Sequence, residues 1–165
     1  MYFKQGDIFW GMKKEFVGEI MKLAVTELYN TGDMLFRTGD SADHFYIMTK
    51  GQIKLSIGDA GSVVYIVSKA GEAFGWSSLI GREEYSATAK CLSPTNLLKL
   101  NGEKLQKILE KDSDNGMIFF KRVSMVLGNR LLQSYKMFSS ATLAETSTSF
   151  GTGQVLASEA AEVSI

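Results

Sequence analysis

The sequence predicts a mainly β domain, of the sandwich, jelly-roll or barrel kind, with helices at either end. Between Leu28 and Leu100, short β-branched and aromatic runs alternate with Gly-Asp, Lys-Gly and Asp-Ala-Gly punctuation, the texture of many short strands joined by tight turns. Helical spacing of apolar residues appears only before and after that stretch. Apolar residues make up 45% of the 165, enough to build one core but not two full domains.

Residues 8–24 read as the first helix, because Phe9, Phe16, Val17, Ile20, Met21 and Ala24 recur at helical spacing opposite Lys13, Lys14, Glu15 and Glu19. Gly11 suits a turn just before Lys13. Strands are expected at Met34–Phe36, Phe45–Met48, Gln52–Ile57, Val63–Val67, Tyr85–Ala89 and Asn96–Leu100. Gly58-Asp59-Ala60-Gly61 is expected to close a hairpin, and Pro94 to turn the chain between the last two strands. Asn101 can cap a helix through Leu105, Ile108 and Leu109, with Glu103 near its positive end. Asp112–Gly116 is expected to break it before a longer helix from about Met117 to Phe138. The remainder, 139–165, holds no Lys or Arg and only Glu145, Glu159 and Glu162 as charges, which suits a mobile acidic tail better than a packed element. The expected organisation is one domain over 1–138, with the strands at about 28–100 and the last helices at about 102–138.

Composition also excludes function classes. Eighteen basic and eighteen acidic side chains cancel, so no global field draws the chain to nucleic acid or anionic lipid. No apolar run approaches a membrane span, and Met1–Asp7 lacks a signal pattern, so a cytoplasmic protein is expected. Cys91 is the only cysteine and His44 the only histidine, too few ligands for a zinc site or for a metal enzyme built on a jelly roll. Cys91 lies in an alternating run and reads as a small buried thiol. No glycine-rich nucleotide loop and no catalytic constellation is present. No cofactor is expected and no enzymatic activity.

Five local patterns occur in a fixed order: Asp7-Ile8-Phe9-Trp10-Gly11-Met12, Gly32-Asp33 with Gly39-Asp40, Asp43–Met48, Lys50-Gly51-Gln52-Ile53, and Gly71-Glu72-Ala73-Phe74-Gly75. Together they resemble the cyclic-nucleotide-binding domain of Crp/Fnr-type regulators, protein kinase A regulatory subunits and nucleotide-gated channels, over about residues 7 to 138. The resemblance implies a β-roll with a short internal helix that holds the cyclic phosphate. In that family Phe-Gly-Glu opens the helix, its Glu accepting the ribose hydroxyl, and Arg-small-Ala begins the next strand, its Arg pairing with the phosphate.

The matching stretch here runs from Phe74 to Ala87, so the resemblance makes Phe74, Gly75, Trp76, Ser77, Ser78, Leu79, Arg82, Tyr85, Ser86 and Ala87 the candidate ligand-binding residues. Phe74, Gly75, Leu79, Ser86 and Ala87 fit the pattern, whereas Trp76 replaces the Glu and Tyr85 replaces the Arg. Loss of a partly buried Arg–phosphate contact costs about 2–5 kcal/mol, or roughly 30- to several-thousand-fold in affinity. Trp76 could stack on a flat ligand or fill the ribose site. Tyr85 could donate to an anion or hydrogen-bond within the roll. Arg82 could swing inward as a substitute cation or remain a solvated loop charge, and Ser77, Ser78 and Ser86 offer neutral donors beside a helix N-terminus.

The function implied is a sensory or regulatory domain with altered specificity for a cyclic nucleotide or another anionic, nucleotide-like ligand. The alternative is a ligand-independent interaction protein that keeps the fold. The acidic tail cannot supply a DNA-recognition helix, so no direct nucleic-acid contact is expected. Homodimerisation is expected through the long C-terminal helix, on Phe120, Leu127 and Leu131 with Met117 and Phe138 at three-and-four spacing.

Overall fold

The computed structural model describes residues 8–58, 62–141, 147–150 and 154–157. The chain divides into two units, Met1–Val126 and Leu127–Ile165. In the first unit, helix α1 (Lys14–Leu23) precedes eight strands: β1 (Val25–Tyr29), β2 (Met34–Phe36), β3 (His44–Lys50), β4 (Ile53–Ile57), β5 (Ser62–Val67), β6 (Ala73–Phe74), β7 (Thr88–Cys91) and β8 (Thr95–Asn101). Helices α2 (Gly102–Lys111) and α3 (Ser113–Ala141) follow, and α3 continues into the second unit. Two four-stranded antiparallel sheets form, in the orders β1-β8-β3-β6 and β2-β7-β4-β5. This is the expected β-roll with flanking helices.

The two sheets differ in what covers them, and the sequence shows why. In β3, Phe45 and Ile47 enter a cluster with Phe16, Val17 and Ile20 of α1, Leu105 and Leu109 of α2, and Phe119 and Val123 of α3. Tyr46 and Met48 turn the other way, into a second cluster with Phe36, Ile53, Leu55, Val67, Ala89 and Cys91 of the facing sheet. Strand β3 is thus buried on both faces and reads as a continuous apolar run. The second sheet is buried on one face, and β7 alternates accordingly: Ala89 and Cys91 are buried while Thr88 and Lys90 are partly exposed.

Several boundaries differ from the sequence expectation. Residues 8–12 form turns, not helix, because Gly11 takes a left-handed φ of 88° that ends any helical run. Strand β1 begins at Val25, and the two-residue β6 was not expected. Tyr85 lies in irregular chain and Ser86 and Ala87 in bends, and the strand starts only at Thr88. Asn101 does cap α2, its side chain accepting from the Lys104 amide at 3.0 Å. The break after α2 is a single residue: the Asp112 carboxylate accepts the Asn115 amide at 3.1 Å and starts α3 at Ser113. Ile57 pairs with Ser62, so β4 and β5 form the expected hairpin; its loop residues 59–61 lie outside the described residues, as do Met1–Asp7.

In the second unit α3 runs to Ala141, past the expected end at Phe138. The segment read as a structureless tail contains an antiparallel hairpin of β9 (Ser147–Phe150) and β10 (Gln154–Ala157), whose Ser/Thr and β-branched content is compatible with strand. Among the described residues, no helix is long and apolar enough to cross a membrane.

The α2–α3 corner depends on close packing. A Cβ on Gly116 would meet the Leu109 carbonyl oxygen at 2.3 Å. Buried Asn115 accepts the Lys13 amide at 3.0 Å and donates to Asp112 at 2.7 Å, tying the start of α3 to the start of α1. Gly116→Ala should therefore destabilise the fold by about 1–3 kcal/mol in urea unfolding. Gly128→Ala, on the same helix with nothing within 4 Å of the added methyl, should be neutral or stabilising by up to about 1 kcal/mol.

Candidate functional site

The segment between β6 and β7 is pressed against β3 before it turns. Phe74 pairs with Tyr46, and Gly75 then takes a φ of 82° where a Cβ would stand 2.8 Å from the His44 carbonyl oxygen. Glycine is required there both for φ and for the close approach. Residues Trp76–Leu79 form one 3-10 turn, where a short internal helix was expected from sequence. Four residues gather little of the aligned dipole that makes an α-helix N-terminus attractive to anions. The Ser78 hydroxyl donates to the Gly75 carbonyl at 2.8 Å, and the Ser77 carbonyl accepts the Ile80 and Arg82 amides at 3.4 and 3.3 Å. These groups hold the turn together.

Trp76 and Tyr85 face different cores. The Trp76 indole packs edge-on to Phe45 at 5.5 Å, within the helix-facing cluster that also takes Leu79. It leaves by the outer side of the sheet, so it neither fills the roll interior nor lines it for stacking. Tyr85 points inward and is 4% exposed. Its ring stacks on Phe36 at 3.7 Å, in the inter-sheet cluster with Tyr46 and Phe74. Its hydroxyl donates to the His44 carbonyl at 2.7 Å and accepts the His44 amide at 3.0 Å. Burial pushes this phenol up, partly offset by the bonds to the His44 backbone and the Tyr46 hydroxyl, and keeps it neutral. The main chain follows: Tyr85 donates to Asp40 at 2.9 Å and accepts from Gly39 at 3.0 Å, lacing residues 83–85 onto 39–42. Arg82 and Ser86 are exposed and Ala87 is half-buried; Arg82 makes no ion pair among the described residues.

A second polar group, not anticipated from sequence, stands on the same inner face of the first sheet. Lys99 of β8 lies opposite Tyr46 and bonds Glu27 of β1 at 3.2 Å, with both side chains about a quarter exposed. The Tyr29 hydroxyl donates to the same Glu27 carboxylate. Burial alone would push Glu27 up, but the bonds from Tyr29 and Lys99 and the Lys99 charge outweigh it and hold the carboxyl below its ordinary value. Burial and the Lys99 charge depress His44. An ion pair this exposed adds at most about 1 kcal/mol of stability, so its partners can be exchanged at small cost. Strand alternation could not reveal Lys99, because Leu98 and Leu100 on one face and Leu97 on the other are all apolar.

The profile of the family described as cyclic nucleotide-binding domain matches residues 26–112. Among curated proteins, the cyclic nucleotide-gated channel beta-3 of Canis lupus familiaris is 28% identical over 124 residues, covering 73% of this chain and 16% of that channel. The chain therefore spans a small part of the curated relatives it matches. Among solved structures, the Thermus thermophilus catabolite activator protein superposes with a TM-score of 0.65 at 23% identity, covering 82% of this chain and 62% of that one. The c-di-GMP-responsive regulator CLP of Xanthomonas campestris superposes at 0.69 with 20% identity, covering 79% and 66%. At these identities the superpositions show the fold.

The chain's single histidine makes one part of this electrostatic picture measurable. A depressed folded-state pKa means that the unfolded chain takes up the imidazole proton first as pH falls. The stability contributed by neutral His44 is complete above its unfolded value near 6.5 and is lost as pH falls through the folded value. Stability should decline as pH falls below about 6.5, above the range where carboxylates titrate. His44→Gln should flatten that slope in urea unfolding series; an unchanged slope would remove His44 as its source.

Proposed function

The chain belongs to the cyclic nucleotide-binding domain family, and from that premise we propose that it is a non-enzymatic regulatory domain whose ligand specificity differs from that of the family pattern. The observation that carries this reading is Tyr85. It stands where the resemblance places the phosphate-pairing arginine, and its hydroxyl is engaged with the His44 backbone inside the inter-sheet core. A neutral, buried phenol offers a cyclic phosphate no charge-assisted partner. Trp76, at the position of the ribose-binding glutamate, packs on Phe45 among helix residues and supplies no carboxylate. The glycine turn and the roll remain, so a cavity ligand would be held by other groups. Calorimetric titration of the chain with a panel of cyclic mono- and dinucleotides is the direct test. Cyclic AMP and cyclic GMP should bind in the high-micromolar range or more weakly, given the roughly 30-fold or larger loss expected without the arginine. A sub-micromolar dissociation constant for either would overturn the reading. Complete silence across the panel would favour a ligand-independent interaction protein instead.

The same reading includes a cytoplasmic homodimer joined through α3. Supporting it, Phe120, Leu127 and Leu131 are 37, 36 and 50% exposed on that helix, and Met117 and Phe138 are 59 and 69% exposed. A helix with this much solvent-facing apolar surface gains by pairing with a second copy across a two-fold axis. Light scattering at micromolar concentration should give a dimeric mass, and Leu127→Asp with Leu131→Asp should reduce it to the monomer. A monomeric parent chain would contradict the dimer.

A further inference from the structure

We propose that Lys99, braced by Glu27, is the cation that grips an anionic ligand in this roll, in place of the charge that Tyr85 does not supply. The inference rests on the ligand-binding reading above and names how that site works. Lys99 lies directly across from Tyr46 on the inner face of the first sheet. Cross-strand partners have Cβ atoms about 4.5–5.5 Å apart, and the Tyr46 hydroxyl bonds the Tyr85 hydroxyl. Lys99 thus shares the inner face with Tyr46, which links it to Tyr85, while its ammonium reaches towards Glu27 on β1, at the other side of β8.

Three features make this group a site and not a closed structural pair. The Lys99 and Glu27 side chains are 27 and 28% exposed, so solvent and a small ligand reach them. Glu27 lies opposite Leu97 in β8, which belongs to the inter-sheet core, so the pair borders the roll interior. Together they place one charged donor beside one charged acceptor, the combination that a phosphate with a neighbouring hydroxyl requires. Tyr29 and His44, both half-buried, add neutral groups at the same rim. The other candidate cation, Arg82, is exposed in the loop after the 3-10 turn. Lys54, by contrast, pairs with Lys90 across strands on the solvent face of the second sheet. The ligand class implied is a small anion carrying a hydrogen-bond donor, such as a nucleotide-like phosphate.

The test uses the full chain and three probes: cyclic AMP, cyclic GMP and inorganic phosphate, each titrated to millimolar concentration. Calorimetry is read alongside the His44 ring resonances, which belong to a single histidine. At least one probe should saturate and shift those resonances. Lys99→Met should weaken it by about tenfold or more, Lys99→Arg should retain it, and Lys54→Met should leave it within about twofold. The Lys99→Met/Glu27→Gln pair, which leaves no lone carboxylate, guards against a folding defect and should bind as weakly as Lys99→Met. Binding that survives Lys99→Met, or is lost in Arg82→Met instead, would overturn the inference while leaving the ligand-binding reading standing. No saturable binding of any probe would overturn both.

Discussion

Strand β3 has to satisfy two cores at once. Phe45 and Ile47 close the space under α1, α2 and α3, while Tyr46 and Met48 close the space between the sheets. The segment after β6 is anchored to this strand, with Gly75 against the His44 carbonyl and the Tyr85 hydroxyl on the His44 amide and carbonyl. Gly75 and Tyr85 are therefore positioned by one strand whose side chains have no freedom to move without disturbing packing on one side or the other.

That arrangement governs the positions where the resemblance would put phosphate and ribose contacts. Tyr85 points inward, and its ring completes an aromatic cluster with Phe36, Tyr46 and Phe74. The phenol needs no counter-ion, so the unliganded roll is satisfied. A guanidinium in the same place would require an anion or water to balance it. The charge on the inner face lies instead at the rim, where Lys99 and Glu27 are part-solvated and paired.

Much of the fold was legible from sequence because its signals are local. Glycine punctuation marked the turns, alternation marked β4 and β7, and Asn101 marked the start of α2. The misses have identifiable causes. Val25-Thr26-Glu27 directly follows the apolar end of α1, so β1 merged with the helix pattern. Ser113–Gly116 looked like a breaker run, yet one capping aspartate and a close contact to Leu109 let α3 begin there. At the site, the replacements Trp76 and Tyr85 were visible in the aligned stretch, but where they point was not. Trp76 turned outward because Phe45 faces the helices. Tyr85 found its partner in the backbone of a residue 41 positions away. Lys99 escaped notice because the apolar Leu97, Leu98 and Leu100 around it leave no alternation to read.

The central claim is that Tyr85 is now part of the core at a position where the family pattern has a ligand-binding arginine. Urea unfolding of the ligand-free chain with Tyr85→Phe and Tyr85→Arg tests it most directly. Tyr85→Phe keeps the stack on Phe36 and loses the hydroxyl contacts to His44, a loss of about 1–3 kcal/mol. Tyr85→Arg places an unpaired charge against Phe36 and should lose more, about 3–5 kcal/mol. A Tyr85→Arg chain as stable as the parent would show that this position is still open to a charged, ligand-facing side chain and would contradict the account.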